Sequence, residues 1–263
     1  MRQTGTTHAQ ASHWISISIA LIIAGSVLWS AFSIDVDAER IGNATERIAD
    51  FIGRMIPPDF SVLPDVVNGT IETMQIAILG TVGCILTSAI LGPLAASTVT
   101  PPVVHRPLKF VLAIIRAVPM IVVAMLMVAA LGLGPLPGIV AIAIHATGML
   151  AKFYAEAIED VDTSSVAALE STGAGIIQRL RFAVWPQTAP VIVRDTLFRF
   201  ELNLRESLIL GIVGAGGIGF YIQTYVRSFQ YQKAATLTLV VVGLVLLVEF
   251  ANSFIRRQLN TKN

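Results

Sequence analysis

The chain has 263 residues, 54% hydrophobic and only 13% charged, with a net charge of +1. A soluble domain carries about 25% charged residues, so much of the usual solvating charge is missing, and the mean hydropathy is +0.74. This excludes a disordered chain and a nucleic-acid binder with a broad basic face, and it argues against a soluble enzyme. The single cysteine, Cys84, lies in an apolar run, which leaves no intrachain disulfide and no cysteine-based zinc site.

Charge-free stretches run from Gln3 to Ile34, Thr73 to His105, Ala117 to Ala151, Ser207 to Val226 and Ala234 to Val248. A helix needs about 20 apolar residues to cross a bilayer core. Only helices and closed barrels satisfy their own backbone in lipid. Runs such as IAIHATGML do not alternate at period two, so barrel strands are excluded. The expected class is an all-α polytopic membrane protein with about six transmembrane helices. The spans are about Trp14–Ser33, Val67–Ser97, Leu108–Leu131, Ile139–Ile158, Ala189–Val213 and Ala234–Ile255. The motif GLGPLPG, Gly132 to Gly138, breaks the third from the fourth, because its glycines and two prolines do not continue a helix. The first span is longer than the roughly 7–15 apolar residues of a signal peptide. No convincing small-x-small cleavage site precedes Asp35, so a signal anchor is expected.

Lys and Arg set orientation. With the N-terminus inside, ten of the 18 fall in cytoplasmic segments and five outside, which favours both termini inside. The outer segment Ala38–Ile56 has helical period. Ile41, Ala44, Ile48, Phe51, Ile52 and Met55 share one arc, and Glu39, Arg40, Glu46, Arg47, Asp50 and Arg54 the other. It reads as an amphipathic interfacial helix, either a dock for an extracytoplasmic partner or a solvated cover over the bundle.

The cytoplasmic stretch 159–187 is too long for a minimal turn. Asp162, Thr163 and Ser164 offer N-cap oxygens, and Val166, Ala167, Ala168 and Leu169 continue a short helix. Gly173 suits its C-terminus, with Ala174 following it. Ile176, Ile177, Leu180 and Val184 make a second short helix that stops at Pro186. Two short helices bent at a glycine form a rigid knob, suited to a groove on another protein or to a plain structured loop.

The fifth span is crowded with charge. At 100° per residue, Asp195, Arg199, Asn203 and Glu206 form one stripe, while Arg194, Glu201 and Arg205 form another. Charge in mid-membrane must face protein or a wet cavity. One stripe can brace helices while the other faces a passage or a symmetry mate; arginine forks suit phosphate-like anions, and Arg199, Glu201, Asn203, Arg205 and Glu206 are the expected translocation-pathway residues. Next comes GAGGIG, with Gly214, Gly216, Gly217 and Gly219. It matches a dinucleotide fingerprint in letters, but a membrane helix precedes it and no acid follows at the required distance. The segment reads instead as an unwound turn or hinge near a gate. Arg116 either snorkels to the cytoplasmic surface or lines the path, and His145 reads as a packing residue. No P-loop, HExxH or Ser/His/Asp constellation is present, so the chain is not expected to be an enzyme.

Several long stretches, in order, carry a family resemblance: GLGPLPGIVAIAIHATGMLAKFYAEAIEDVD (132–162), STGA (171–174), WPQTAP (185–190), FRFELNLR (198–205) and GIVGAGGIG (211–219). From about Asn68 to Arg257 the chain resembles the permease subunit of bacterial phosphonate ABC importers. The resemblance implies a type I ABC importer transmembrane domain in the bacterial cytoplasmic membrane. It implies a homodimer, two cytoplasmic ATPase subunits that bind ATP and Mg²⁺, and an extracytoplasmic substrate-binding protein. Residues 67–263 would be the permease core, and 1–66 an anchor with the amphipathic segment. The knob resembles the coupling helix of this superfamily, whose pattern is Glu-Ala-Ala, three residues, then Gly. Ala168 and Gly173 match; Ala167 stands where glutamate is expected and Leu169 where the second alanine is. The absent glutamate is third after Ser164, a capping-box position, and its loss is expected to weaken the helix start by about 0.5–1 kcal/mol. The expected function is ATP-driven import of phosphonate, phosphite or phosphate by alternating access. An ion-coupled secondary transporter or an anion channel is the alternative; the former should show a repeat of similar halves and an unpaired mid-membrane acid.

Overall fold

The computed structural model describes residues 6–33 and 42–260. The chain divides into two compact units, one up to Gly53 and one from Arg54. In the first, α1 (Thr6–Ser33) is a 28-residue helix whose residues 16–33 are all exposed. It is about 42 Å long at 1.5 Å per residue, enough to cross a bilayer. The helix α2 (Ala44–Met55) has Glu46 in its first turn and Arg54 in its last, charges that oppose the helix dipole favourably. It carries the expected amphipathic pattern from Ala44 onward; Ala38–Ile41 lies outside the described residues.

The second unit opens with a 3-10 turn, Phe60–Val62, capped by Asp59. It continues as α3 (Leu63–Ala95), α4 (Pro102–Ala117), α5 (Met120–Leu131), α6 (Pro135–Glu159), α7 (Thr163–Ser171) and α8 (Ile176–Arg179). A π-helical turn, Leu180–Val184, leads into α9 (Trp185–Leu210). A 3-10 turn, Gly211–Val213, precedes α10 (Ile218–Arg227) and α11 (Tyr231–Asn260). The centre is the α3–α6 pair. A Cβ on Gly80 would lie 2.6 Å from Ile142, and one on Gly92 would lie 2.6 Å from Tyr154. Small residues bring membrane helices close where no hydrophobic effect drives them together. Ile76, Cys84, Ile142, Ala146 and Leu150 fill the seam and are fully buried.

Four contacts fix the direction of each crossing. The Ser97 N–H donates to Glu159, so α3 and α6 end together. Lys109 pairs with the same Glu159 at 2.7 Å, which puts the start of α4 there as well. The Gly134 N–H donates to the Gly214 carbonyl at 3.0 Å, so the turn after α5 meets the end of α9 at the opposite pole. Thr236 donates to the Asp59 carbonyl at 2.8 Å, placing the start of α11 beside the start of α3. The second unit therefore makes five passages, and its last helix ends at the pole that holds α7 and α8.

Two sequence expectations are corrected. The third span is not one helix: α4 and α5 meet at 86°. Pro119 has no N–H to continue the ladder, and Val118 before it is extended, with ψ 126°. The two pieces still cross as one broken span, from Glu159 to Gly214. Pro186 also fails to stop the second knob helix. The wide π turn before it closes on the Trp185 N–H, bonded to the Leu180 carbonyl, so Pro186 falls in the first turn of a new helix, where a missing donor costs little. The fifth span thus starts at Trp185.

Candidate functional site

At the pole shared by α7 and α8, Asp162 caps α7. Its carboxylate accepts from the Ser164 N–H at 2.9 Å, the Ser164 hydroxyl at 2.6 Å and the Ser165 hydroxyl at 3.0 Å. The Ser164 hydroxyl and then its N–H hold the Asp162 carboxyl below the ordinary aspartate range. With Asp162 as N-cap, Ala167 is the fifth helical residue. A glutamate there would not close a capping box, so the expected penalty for its absence does not apply. Gly173, at φ +79°, ends α7 in a Schellman motif: its N–H reaches the Glu170 carbonyl at 2.9 Å, and the Ala174 N–H reaches Leu169 at 3.2 Å. Glu170 and Arg179 pair at 2.8 Å, and the Asp162 N–H donates to Gln187 Oε1 at 3.1 Å. The knob is thus tied internally and to the foot of α9. Ser164, Ala167, Ala168 and Gly173 are exposed, Leu169 and Ala174 half-buried. Ile177, Phe182 and Trp185 are exposed by 80, 64 and 61%.

Along α9, Arg199 is 2% exposed. Its Nη2 pairs with Glu206 Oε2 at 2.7 Å, and Nη1 points at the Met149 sulfur, 3.4 Å away. One turn from each, Asn203 is fully buried and donates to Thr81 on α3 at 2.8 Å. Arg199 Nε, Asn203 Oδ1, His145 Nδ1 and Ser88 Oγ are buried without a hydrogen-bond partner among the described residues. Glu201 and Arg205 pair at 2.9 Å in the expected i, i+4 order, and Arg205 also reaches Glu249 on α11 at 3.1 Å. Asp195 pairs with its neighbour Arg194 at 3.0 Å rather than with Arg199. Tyr154 and Thr196 join α6 to α9 at 2.7 Å.

At the opposite pole, Gly214, Gly216 and Gly217 have φ of +86°, +80° and +76°, conformations that L side chains rarely adopt. The unwound stretch is held from α3. The Gly217 N–H donates to Glu72 at 2.9 Å and the Ile218 N–H to Thr73 Oγ1 at 2.8 Å. A Cβ on Gly219 would sit 2.0 Å from the Leu208 carbonyl oxygen, so α10 can cross α9 there only through glycine. Glu72 was not singled out from sequence. Its signal was a lone carboxylate at the edge of a long charge-free run, with a glycine-rich turn elsewhere to receive it.

The arrangement joins a capped and cross-tied knob, a buried ion pair within the bundle and an unwound segment at the far pole. The solved inward-facing structure of the MetNI methionine ABC transporter has a chain that matches 76% of this one over 99% of its own length, with TM-score 0.67 and 22% identity, a likeness of fold. Phosphite transport system permease protein PtxC of Stutzerimonas stutzeri is 36% identical over 246 residues, 93% of this chain and 90% of that protein. Phosphate-import permease protein PhnE of Mycolicibacterium smegmatis is 38% identical over 229 residues, 87% of this chain but 43% of that protein. The family model described as binding-protein-dependent transport system inner membrane component matches residues 88–261, and the chain belongs to that family.

Proposed function

We propose that this chain is the permease subunit of an ATP-driven importer of a tetrahedral oxyanion (phosphonate, phosphite or phosphate), working as a homodimer by alternating access. The observation that carries the reading is the knob of 162–185, a capped and cross-tied element that leaves Ile177, Phe182 and Trp185 uncovered on a chain of this family. An exposed apolar patch on a rigid, internally bonded element fits a partner groove better than it fits water. Two cytoplasmic ATPase subunits take one knob each, hydrolyse ATP with Mg²⁺, and supply the driving force; the permease supplies the pathway. A substrate-binding protein delivers the anion at the pole of the glycine segment. The oxyanion class is supported by the names of the relatives and by a buried guanidinium, Arg199, whose Nε has no hydrogen-bond partner among the described residues.

In this reading Arg199, Asn203 and Glu206 line or gate the path. Glu201 and Arg205 brace α9 to α11, and Gly214, Gly216, Gly217 and Gly219 form the outer hinge. Residues 1–66 anchor and cover, and 67–263 are the core. Both termini and the knob are cytoplasmic. The Arg199–Glu206 pair speaks against the ion-coupled alternative, because Glu206 is already neutralised by a cation of the protein.

The test is reconstitution with a cognate ATPase and substrate-binding protein. ATP hydrolysis should rise several-fold when the binding protein carries phosphonate, phosphite or phosphate, and ³²P- or ³³P-labelled anion should accumulate in ATP-dependent fashion. Uptake driven by an ion gradient without ATP would sink the proposal.

A further inference from the structure

We propose a second oxyanion site, separate from Arg199: a cleft between α4 and α6, at the knob pole, that holds a phosphate-type group from an anionic lipid headgroup or a free anion. The cleft encloses about 130 Å³ and is lined by Lys109, Leu112, Arg116, Gly148, Lys152 and Glu156, among others. Its shape follows from spacing. Lys109, Leu112 and Arg116 recur at three and four residues on α4, and Gly148, Lys152 and Glu156 at four on α6, so each set shares a helix face. The helices touch at Gly148, where a Cβ would lie 3.0 Å from the Leu112 carbonyl oxygen and 3.1 Å from the Arg116 nitrogen. Leu112, 2% exposed, closes the floor, and the cations stand around it.

The charges do not balance. Lys109 pairs with Glu159 at 2.7 Å and Lys152 with Glu156 at 3.2 Å, all four side chains being partly exposed. Such pairs are weak enough for an amine to turn to another anion. Arg116 has no carboxylate partner among the described residues, where ion pairs involve Lys109, Lys152, Arg179, Arg194, Arg199 and Arg205. It lies seven residues beyond Lys109, about 10 Å deeper along the helix, past the apolar run Phe110–Ile115. A guanidinium at that depth calls for a counter-charge. Its planar fork fits two oxygens of a phosphate, and basic pockets between spanning helices suit anionic headgroups. The leucine and glycine floor accepts the apolar part of a lipid, while the rim accepts its phosphate.

The full chain in nanodiscs tests this without any transport assay, so the result does not depend on the permease reading. In mixed phosphatidylcholine and phosphatidylglycerol discs, native mass spectrometry counts retained anionic lipid. In pure phosphatidylcholine discs, calorimetric titration with inorganic phosphate reads a free anion. The readout is the loss caused by Arg116→Gln with Lys152→Gln, since Arg199 stays intact in both. Occupancy should fall at least tenfold in one or both arms, and the arm that responds names the source. Arg227→Gln, at the other pole, should change neither, and Arg116→Lys should retain part of the binding by keeping the charge. Helix content by circular dichroism checks that the variants fold. If folded Arg116→Gln/Lys152→Gln matches wild type in both arms, Arg116 is a snorkelling arginine and the site does not exist.

Discussion

Arg199 is 2% exposed and shares its charge with Glu206, whose side chain is 22% exposed. Removing one member of a buried pair strands the other, at about 3–5 kcal/mol, whereas replacing both by apolar groups is often neutral. Arg199→Ala and Glu206→Gln should each lower the melting temperature and the uptake rate. Arg199→Met with Glu206→Leu should recover most of the stability while uptake stays low. If the double variant transports normally, the pair is a brace and the path lies elsewhere. Glu72 offers a second case. Glu72→Ala leaves the Gly217 N–H without its acceptor, which costs about 1–3 kcal/mol when the donor is buried; Glu72→Gln keeps an acceptor and should lose less by thermal unfolding. These two residues differ in legibility. Arg199 stood out because charge inside a membrane span must face protein or a wet cavity. Glu72 did not, because its partner lies 145 positions away and only the fold brings the two together.

The knob was legible as an element because its cap, its short apolar run and its glycine all lie within a dozen residues. Which oxygen caps it was not, since three candidates stood in a row and only backbone geometry chooses Asp162. The π turn was invisible, because a helix register change leaves no residue type behind. The break at Val118–Pro119 shared its letters with prolines that helices tolerate, among them Pro93 and Pro190. At this scale two outcomes are expected. Asp162→Ala should reduce the ATPase stimulation produced by loaded binding protein, and Asp162→Asn, which caps equally well, should preserve it. The Asp162 pKa is lowered in the folded chain, so its contribution is complete above the unfolded value of about 4. It is lost as pH falls through the folded pKa, so the cap is intact throughout the neutral range and coupling should not depend on Asp162 between pH 6 and 8. Gly173→Ala forces an L residue to φ +79°, at about 1–2 kcal/mol. Gly173→Pro also removes the N–H that bonds Glu170. The proline variant should assemble yet hydrolyse ATP without moving substrate; normal coupling would show that the knob is not the transmitter.

For the whole molecule, the count of crossings decides where the knob lies. Taken by themselves, α4 and α5 are short, and an 86° bend fits either a broken span or a loop that returns to its own side. The contacts choose: the first half of α4 lies beside Glu159 through Lys109, and Leu133, two residues past α5, packs where a Gly214 Cβ would lie, 2.5 Å away. With a broken span, three passages (α3, α4–α5 and α6) separate the start of α3 from the knob, so the knob lies on the side opposite that start. A re-entrant pair would leave two passages and put the knob on the same side; in either case α9 and α11 return the C-terminus to the knob's side. Single cysteines at Ser171, Leu133 and Ser228 resolve this, because native Cys84 is fully buried and silent to reagents. In right-side-out vesicles, membrane-impermeant maleimide should label Leu133→Cys and Ser228→Cys and leave Ser171→Cys unmodified until the vesicles are opened. Labelling of Ser171→Cys from outside would place the knob beyond reach of any cytoplasmic ATPase, and the coupling role would fall with it.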